Sequence, residues 1–352
     1  MLIDSPAVKP RIAHEPPEER GLERDEVRLL MSLGTSVSHH LLLDLPNLLR
    51  PADVIVVNTS ATVPAALPAL HPRALDLRFH LSTHLPADLW SAELRRPRRG
   101  AGGEPLAGSE PYLEGRAGDE LRLEGGGSAR LLAPYAGDRR KAVSRRLWVA
   151  ELDLPTDVLA YLDANGMPIT YGDRAWPLDR YQTVFATQPG SAEMPSAGRA
   201  FSGRVLAHLA ARGVEIAPLL LHTGVSSPEA GEPPYEELYE VPAATARRIN
   251  SARAAGGRVV AVGTTVVRAL ETVATDDGSV HPGSGWTRRV VSPGRPPVAI
   301  DALVTGWHER GASHLDLVES VIGASSMEAA YAAALSAGYL WHEFGDLHLA
   351  FP

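Results

Sequence analysis

The apolar, mostly β-branched run Val259-Val260-Ala261-Val262 stops at Gly263-Thr264-Thr265, and a helical spacing of apolar positions follows at once in Val266, Val267, Ala269 and Leu270. This pattern predicts a buried strand feeding a helix through a tight turn. The turn sits at the strand's carboxyl end, the usual place for a ligand in an open α/β sheet. Hydroxyls and helix-start N–H groups gather there, either as simple caps or as a binding edge. Arg268 lies four residues beyond Thr264, on the same helical face.

The same reading applied along the chain gives two kinds of region. Val27 to Met31 and Val37 to Leu43 are β-like, Asp44 caps a short turn around Leu45 to Leu49, and Asp53 to Asn58 is a buried-type strand. Over 68–150 the pattern shifts to short alternating runs (Leu75 to Leu81, Leu89 to Leu94, Glu120 to Leu123, Ala129 to Leu132, Arg146 to Leu152) between Gly- and Pro-rich turns, with a loop over Gly100 to Gly108. Short strands spaced by turns predict a small barrel or sandwich. Beyond 155, helices (Asp157 to Ala164, Phe201 to Arg212 after an N-cap-like Ser196, Pro242 to Ala255, Ser313 to Ile322, Ser326 to Ser336) alternate with strands (Val214 to His222, Val259, Val298 to Val304, Leu347 to Ala350). The expected fold is α/β: a mixed α/β main domain, residues 1–67 and 151–352, with an inserted small β-barrel domain over 68–150.

Composition narrows the function. Cysteine is absent, which removes disulfides, thiolate nucleophiles and Cys-zinc sites together. No run of about 18 apolar residues occurs and the first residues lack a signal pattern, so the cytosol is the expected location, with no membrane. The net charge of −8 argues against a broadly nucleic-acid-coating surface. Arginines nevertheless cluster at Arg95, Arg96, Arg98 and Arg99, at Arg139, Arg140 and Lys141, and at Arg145 and Arg146. Each cluster is either solvated surface or a local phosphate-binding face. No G-x-G-x-x-G after a strand, no P-loop and no G-x-S-x-G elbow are present, which speaks against ordinary dinucleotide, ATP and serine-hydrolase chemistry.

Candidate chemistry sits at strand ends. Leu219-Leu220-Leu221-His222-Thr223-Gly224 puts a histidine at the end of a buried strand, as a structural hydrogen-bonder or a functional group. Tyr181 to Ala186 reads as an ordinary strand or a site rim. Gly190 to Ser202 is rich in small residues before a helix, so it is either a capped loop or a place where a ligand approaches backbone N–H groups. His342, Asp346 and His348 match no established zinc spacing, and adjacent strand residues His39 and His40 face opposite ways, so no metal is expected.

In order along the chain, Tyr181 to Ala186, Gly190 to Ser202, Leu221 to Gly224, Gly257 to Glu271, Gly285-Trp286-Thr287 with Pro293-Gly294, and Gly345-Asp346 resemble the S-adenosylmethionine:tRNA ribosyltransferase-isomerases of queuosine biosynthesis. Asp44-Leu45-Pro46 through Leu67 is similar to the family's opening segment. The resemblance implies an α/β domain with an inserted barrel. It also implies transfer and isomerisation of the ribosyl group of S-adenosylmethionine onto the aminomethyl of a deazaguanine in tRNA, giving epoxyqueuosine. S-adenosylmethionine is then the co-substrate, with no further cofactor, and a monomer is expected. Carried over residue by residue, it offers His222, His308 and Asp346 as catalytic candidates. The substrate-binding candidates are Tyr181, Gln182, Phe185, Pro195, Ala197, Gly198, Gly224, Thr264, Thr265 and Arg268, with Arg268 placed to fork the methionine carboxylate.

Departures from the family pattern cluster on what would be the acceptor side. The family's Asn-Asp-Thr-Arg is Asn58-Thr59-Ser60-Ala61 here, a second arginine is Ala66, and Gly-Leu-His-Phe-Thr is Gly198-Arg199-Ala200-Phe201-Ser202. The family's Asn-Phe-His-Leu-Pro keeps only His308, and acidic residues follow Gly224 at Glu229, Glu236 and Glu237. Three readings stay open: the family reaction on tRNA, ribosyl transfer to another small amine or deazapurine, or a non-catalytic S-adenosylmethionine-binding protein. If Thr59, Ala61 and Ala200 line the acceptor pocket, weak activity on the family's tRNA acceptor follows.

Overall fold

A computed structural model describes residues 10–73, 75–100, 104–135, 146–170, 174–225, 235–308 and 313–352. Arg139, Arg140, Lys141, Arg145, Ser226 to Glu229, and Glu309 with Arg310 lie outside the described residues, as do 101–103 of the expected loop. Among the described residues the apolar runs form a nine-stranded mixed sheet. Its order is Gly283–Thr287, Glu237–Val241, Glu215–Leu221, Val54–Asn58, Val259–Val262, Ala302–Gly306, Leu347–Phe351, Arg28–Leu33 and Ser36–Leu41. The third to sixth of these run parallel, so their carboxyl ends share one edge. Side-chain alternation divides the central strand between two cores. Val54 and Val56 pack with helices Ala243–Ala254, Thr264–Val273 and Ser313–Ile322. Ile55 and Val57 pack with Val205 and Leu209 of helix Gly203–Ala211 on the other face.

Between two strands of that sheet the chain makes a closed antiparallel barrel. Ala66–His71, Leu75–Leu85, Leu89–Arg99, Leu147–Asp153, Ser128–Pro134 and Glu120–Leu123 pair in a ring that returns to Ala66–His71. Closure removes the sheet edges, and the small interior fills with Phe79, Leu94, Leu121, Leu131 and Trp148. The mixed α/β fold with an inserted barrel is as the sequence predicts.

Four local expectations change. The segment Gly100 to Gly108 is not all loop: Pro105–Pro111 is a strand paired with the end of Leu89–Arg99. The strand expected from Val298 starts only at Ala302, because the Val298 and Ala299 amides donate to Glu271 Oε1 at 2.8 and 2.7 Å instead of joining the ladder. Asp44 does not cap the turn that follows it. Its carboxylate accepts from the Leu41 amide at 3.0 Å and closes the turn before it. The helix after the small-residue loop starts at Gly203, and its cap is Ser202, whose Oγ accepts from the Val205 amide at 3.2 Å. Ser196 instead opens a short 3-10 turn. Ser202→Ala should cost about 1 kcal/mol of stability in urea unfolding, and an unchanged midpoint would mean another group caps the helix.

Arg95 also moves. Residues on its face of the strand are covered, so it is buried, with Nη1 2.7 Å from Glu93 and Nε 2.8 Å from Ser109 Oγ. Buried Arg146 approaches the same Glu93 carboxylate at 3.2 Å. A carboxylate buried between two guanidiniums is an internal ionic cluster, so neither arginine belongs to a surface patch. Arg96, Arg98 and Arg99 remain exposed.

Candidate functional site at the strand ends

Four parallel strands deliver their last residues to one edge. Glu215–Leu221 ends in His222, Val54–Asn58 in Thr59 and Ser60, Val259–Val262 in Gly263 and Thr264, and Ala302–Gly306 in Trp307 and His308. Asn58 ties the first two ends together. Its Nδ2 donates to the Leu221 carbonyl at 2.8 Å and its Oδ1 accepts from the Leu221 amide at 2.9 Å. The loop over residues 190–198 crosses above these ends. At one side the His222 ring lies on Gly190, where a Cβ would stand 2.5 Å from the ring. At the other, Ala197 packs against Gly263, the left-handed residue that lets the strand turn into the helix.

His222 is partly buried, and burial pushes its imidazole below the usual histidine range. Nδ1 lies 2.7 Å from Ser60 Oγ, which lies 2.6 Å from Ser191 Oγ, which accepts from the Thr223 amide at 2.9 Å. Next along the chain, the Gly224 amide donates to Glu237 Oε1 at 3.1 Å, while Glu237 Oε2 takes Arg268 Nη1. The Arg268 Nε and Nη2 donate to the carbonyls of Arg289 and Tyr235 at 3.1 and 2.8 Å. Arg268 thus braces the site from below with most of its donors engaged.

His308 stacks on His314, ring centroids 4.6 Å apart, with Nε2 3.1 Å from Thr305 Oγ1. Burial, and then the His314 and His342 charges, push His308 well below the ordinary range. Burial and the nearby Arg268 charge bring His314 to about 4. Both are therefore neutral at neutral pH. Among the described residues no group of three or more His, Asp or Glu is arranged to hold a metal ion.

The remaining candidates stand behind this edge. Gln182 pairs both ways with the Thr62 backbone, at 3.0 and 2.7 Å. Tyr181 is buried against Phe344, and Phe185 against Phe201. Pro195 accepts from the Gly198 amide at 3.0 Å, closing the turn that carries Ala197. Asp346 sits in the fork of Arg28, with Nε and Nη2 at 3.0 and 2.7 Å, and also accepts from the Leu340 amide. The structure brings His222, Gly224, Thr264, Thr265, the Pro195-to-Gly198 turn and His308 to one edge, and makes Tyr181, Gln182, Phe185 and Asp346 its supports. A surface groove of about 550 Å³ across the barrel, lined by Arg78, Arg122 and Glu124 among others, shares no residue with this edge.

Sequence reasoning missed Glu193 and Glu343. Burial, then the neighbouring Glu193 charge, pushes the Glu343 carboxyl up to about 8, which favours its protonated form at neutral pH. The available signal was an acid inside a run of small residues. Two departures have local explanations. Buried Arg199 turns away to Glu18 at 2.7 Å, fastening the N-terminal segment beside Arg24, whose Nη1 donates to the Gln182 carbonyl. Ala200 lies in the core with Phe201 and Val205, and the Thr59 hydroxyl donates to the Leu219 carbonyl at 3.0 Å.

The family model described as queuosine biosynthesis protein matches residues 8–350. The S-adenosylmethionine:tRNA ribosyltransferase-isomerase of Moorella thermoacetica is 37% identical over 350 residues, spanning 96% of each chain. That of Deinococcus radiodurans is 36% identical over 359 residues, covering 96% of this chain and 94% of its own. The crystal structure of S-adenosylmethionine tRNA ribosyltransferase from Thermotoga maritima covers 97% of this chain and 96% of its own at a TM-score of 0.50. At 24% identity it supports the fold alone.

Proposed function

This chain belongs to the queuosine biosynthesis protein family, and we propose from that membership that it is an S-adenosylmethionine:tRNA ribosyltransferase-isomerase acting on 7-aminomethyl-7-deazaguanine in tRNA to give epoxyqueuosine. The observation that carries this reading is the match over residues 8–350, together with relatives 37% and 36% identical across nearly their whole lengths.

The chemistry calls on groups that an edge of this kind carries. The sulfonium acidifies the adjoining ribosyl carbon, a base takes that proton, and the sugar opens. Adenine leaves with the electron pair of its glycosidic bond and takes up a proton, the amine of the acceptor attacks the opened sugar, and a sugar oxygen displaces methionine, which leaves with the carbon–sulfur pair. The protein must supply a base, hydrogen-bond donors and shielding from water. Under this reading the helix-start amides at Thr264 and Thr265 take the methionine carboxylate or ribose oxygens. His222 and His308 face the reacting part. S-adenosylmethionine is the co-substrate, no other cofactor is invoked, and the working form is a cytosolic monomer.

Residues 68–150 form the inserted unit in this reading, set between 1–67 and 151–352, and its exposed arginines receive the tRNA. Arg96→Glu should weaken tRNA binding and flatten its salt dependence by about one phosphate contact. A variant with the wild-type salt slope would remove this face.

The direct test is mass spectrometry after incubation with S-adenosylmethionine and tRNA carrying the aminomethyl base. Adenine release with a matching mass gain on the tRNA supports the reading, and its absence overturns it. A second reading, transfer to a small amine or deazapurine, is favoured by the uncharged Ala61 and Ala66 where the family carries arginine. It predicts adenine release with such a compound and none with tRNA.

A further inference from the structure

We propose that two buried serines, Ser191 and Ser60, hold His222 in its Nε2–H form, so that it serves the site as a neutral hydrogen-bond donor and not as the proton-accepting base. The proposal rests on the strand-end site of the preceding reading and adds a role that the choice of residues alone leaves open.

The direction of the relay follows from counting protons. A backbone amide can only donate, so Thr223 N–H fixes one end by donating to Ser191 Oγ at 2.9 Å. Ser191 is fully buried, and among the described residues the acceptor within reach of its own proton is Ser60 Oγ, at 2.6 Å. Leaving that proton unpaired would strand a buried donor. Ser60 is equally buried, and with the space toward Ser191 already holding a proton, its own must point to His222 Nδ1 at 2.7 Å. Nδ1 is thereby an acceptor. An imidazole whose Nδ1 accepts a hydrogen bond is neutral, and burial shifts it the same way, so its single proton sits on Nε2.

That form has a defined chemical capacity. Nε2 already carries a proton and cannot take another, and Nδ1 is occupied by the Ser60 hydroxyl. Complete loss of the Nε2 proton would leave an imidazolate, so the group polarises an acceptor without giving up its proton, an established use of a neutral histidine. The ligand atom it fits is a hydrogen-bond acceptor of the donor substrate, a purine ring nitrogen or a ribose oxygen. Nε2 has no protein partner among the described residues. Gly190 beneath the ring keeps that position clear, because any side chain there would collide with the imidazole.

The test is long-range proton–nitrogen correlation NMR on 15N-histidine-labelled full-length protein, with the His222 signals assigned by their loss in His222→Gln. The expected result at neutral pH is a protonated Nε2 and an unprotonated, hydrogen-bonded Nδ1. Ser191→Ala frees Ser60 to turn and should convert the single form into a mixture, while Ser191→Thr, which keeps the hydroxyl, should restore it. An Nδ1–H form or an imidazolium in the wild-type protein overturns the proposal, as does a tautomer indifferent to Ser191→Ala. None of these readouts needs turnover, so failure of the tRNA assay and failure of this assignment are separate results.

Discussion

Arg268→Ala should lower folding stability by about 3–5 kcal/mol, the scale for breaking a buried ion pair by removing one partner. Arg268 and Glu237 are each 7% exposed, and Arg268 also closes the carbonyls of Arg289 and Tyr235. Removing the guanidinium strands the Glu237 carboxylate, whose other oxygen still holds the Gly224 amide. The loss would appear as a fall in the urea midpoint with an unchanged slope. Arg268→Met combined with Glu237→Gln should recover much of it, since the glutamine keeps an acceptor for Gly224 and no charge is left buried. A single-variant loss below about 1 kcal/mol would mean that the pair is solvated. From sequence, Arg268 suggests a fork on the methionine carboxylate worth about 1.5–3 kcal/mol of affinity. Calorimetry on the double variant separates that effect, because its fold is less compromised than that of the single variant.

The contrast in Arg268 shows where sequence stops being informative. The strand-turn-helix over Val259 to Leu270 is legible because its cause is local: β-branched residues, a glycine at the turn and helical spacing afterwards. So is helix Val158–Asn165, expected over Asp157 to Ala164, where the structure makes Asp157 the cap: its carboxylate accepts from the Ala160 amide three residues on. The relay is not legible, because Ser60 meets Ser191 across 131 residues and His222 across 162. Both serines sit in segments that read equally well as turns. Arg95 fails for a different reason. The sequence offers Arg95, Arg96, Arg98 and Arg99 as one cluster, and nothing in Arg95-Arg96-Pro97-Arg98-Arg99 tells which face of the barrel strand will be covered. Arg199 looks like a site change because its neighbours match the family, yet its partner Glu18 is 181 residues away. The edge was placed by periodicity, whereas its internal chemistry depends on long-range pairs.

The opposite end of the central strands gives the second large effect. Asp53, fully buried, accepts from the Arg50 and Arg258 amides at 2.8 and 2.9 Å and from Arg258 Nη2 at 2.6 Å, joining the start of Val54–Asn58 to the start of Val259–Val262. Burial alone would raise its pKa, but the hydrogen bonds from Arg258 and the Arg50 amide outweigh it, and the carboxyl lies below its ordinary value. Asp53→Asn should therefore cost about 2–3 kcal/mol at neutral pH, the value of hydrogen bonds to a charged group. The upper end of the buried-pair range is not expected, because the Arg258 side chain is 22% exposed and water can take over part of its solvation. The sign with pH follows by linkage. A depressed carboxylate contributes its full stability above the unfolded value of about 3.9 and loses it as pH falls through the lower folded value. Glu18 and Asp25 are depressed as well, with hydrogen bonds and charge from Arg199 and from Arg204 and Ser202 overcoming burial, so the wild-type protein should weaken steeply in acid. The Asp53→Asn protein lacks one of these contributions. Urea midpoints for the two proteins should differ most at neutral pH and converge as the pH falls through the depressed folded value of the Asp53 carboxyl. A gap that stays constant down to that pH would show that Asp53 acts through its shape and neutral hydrogen bonds, and that its charge contributes nothing to joining the two strands.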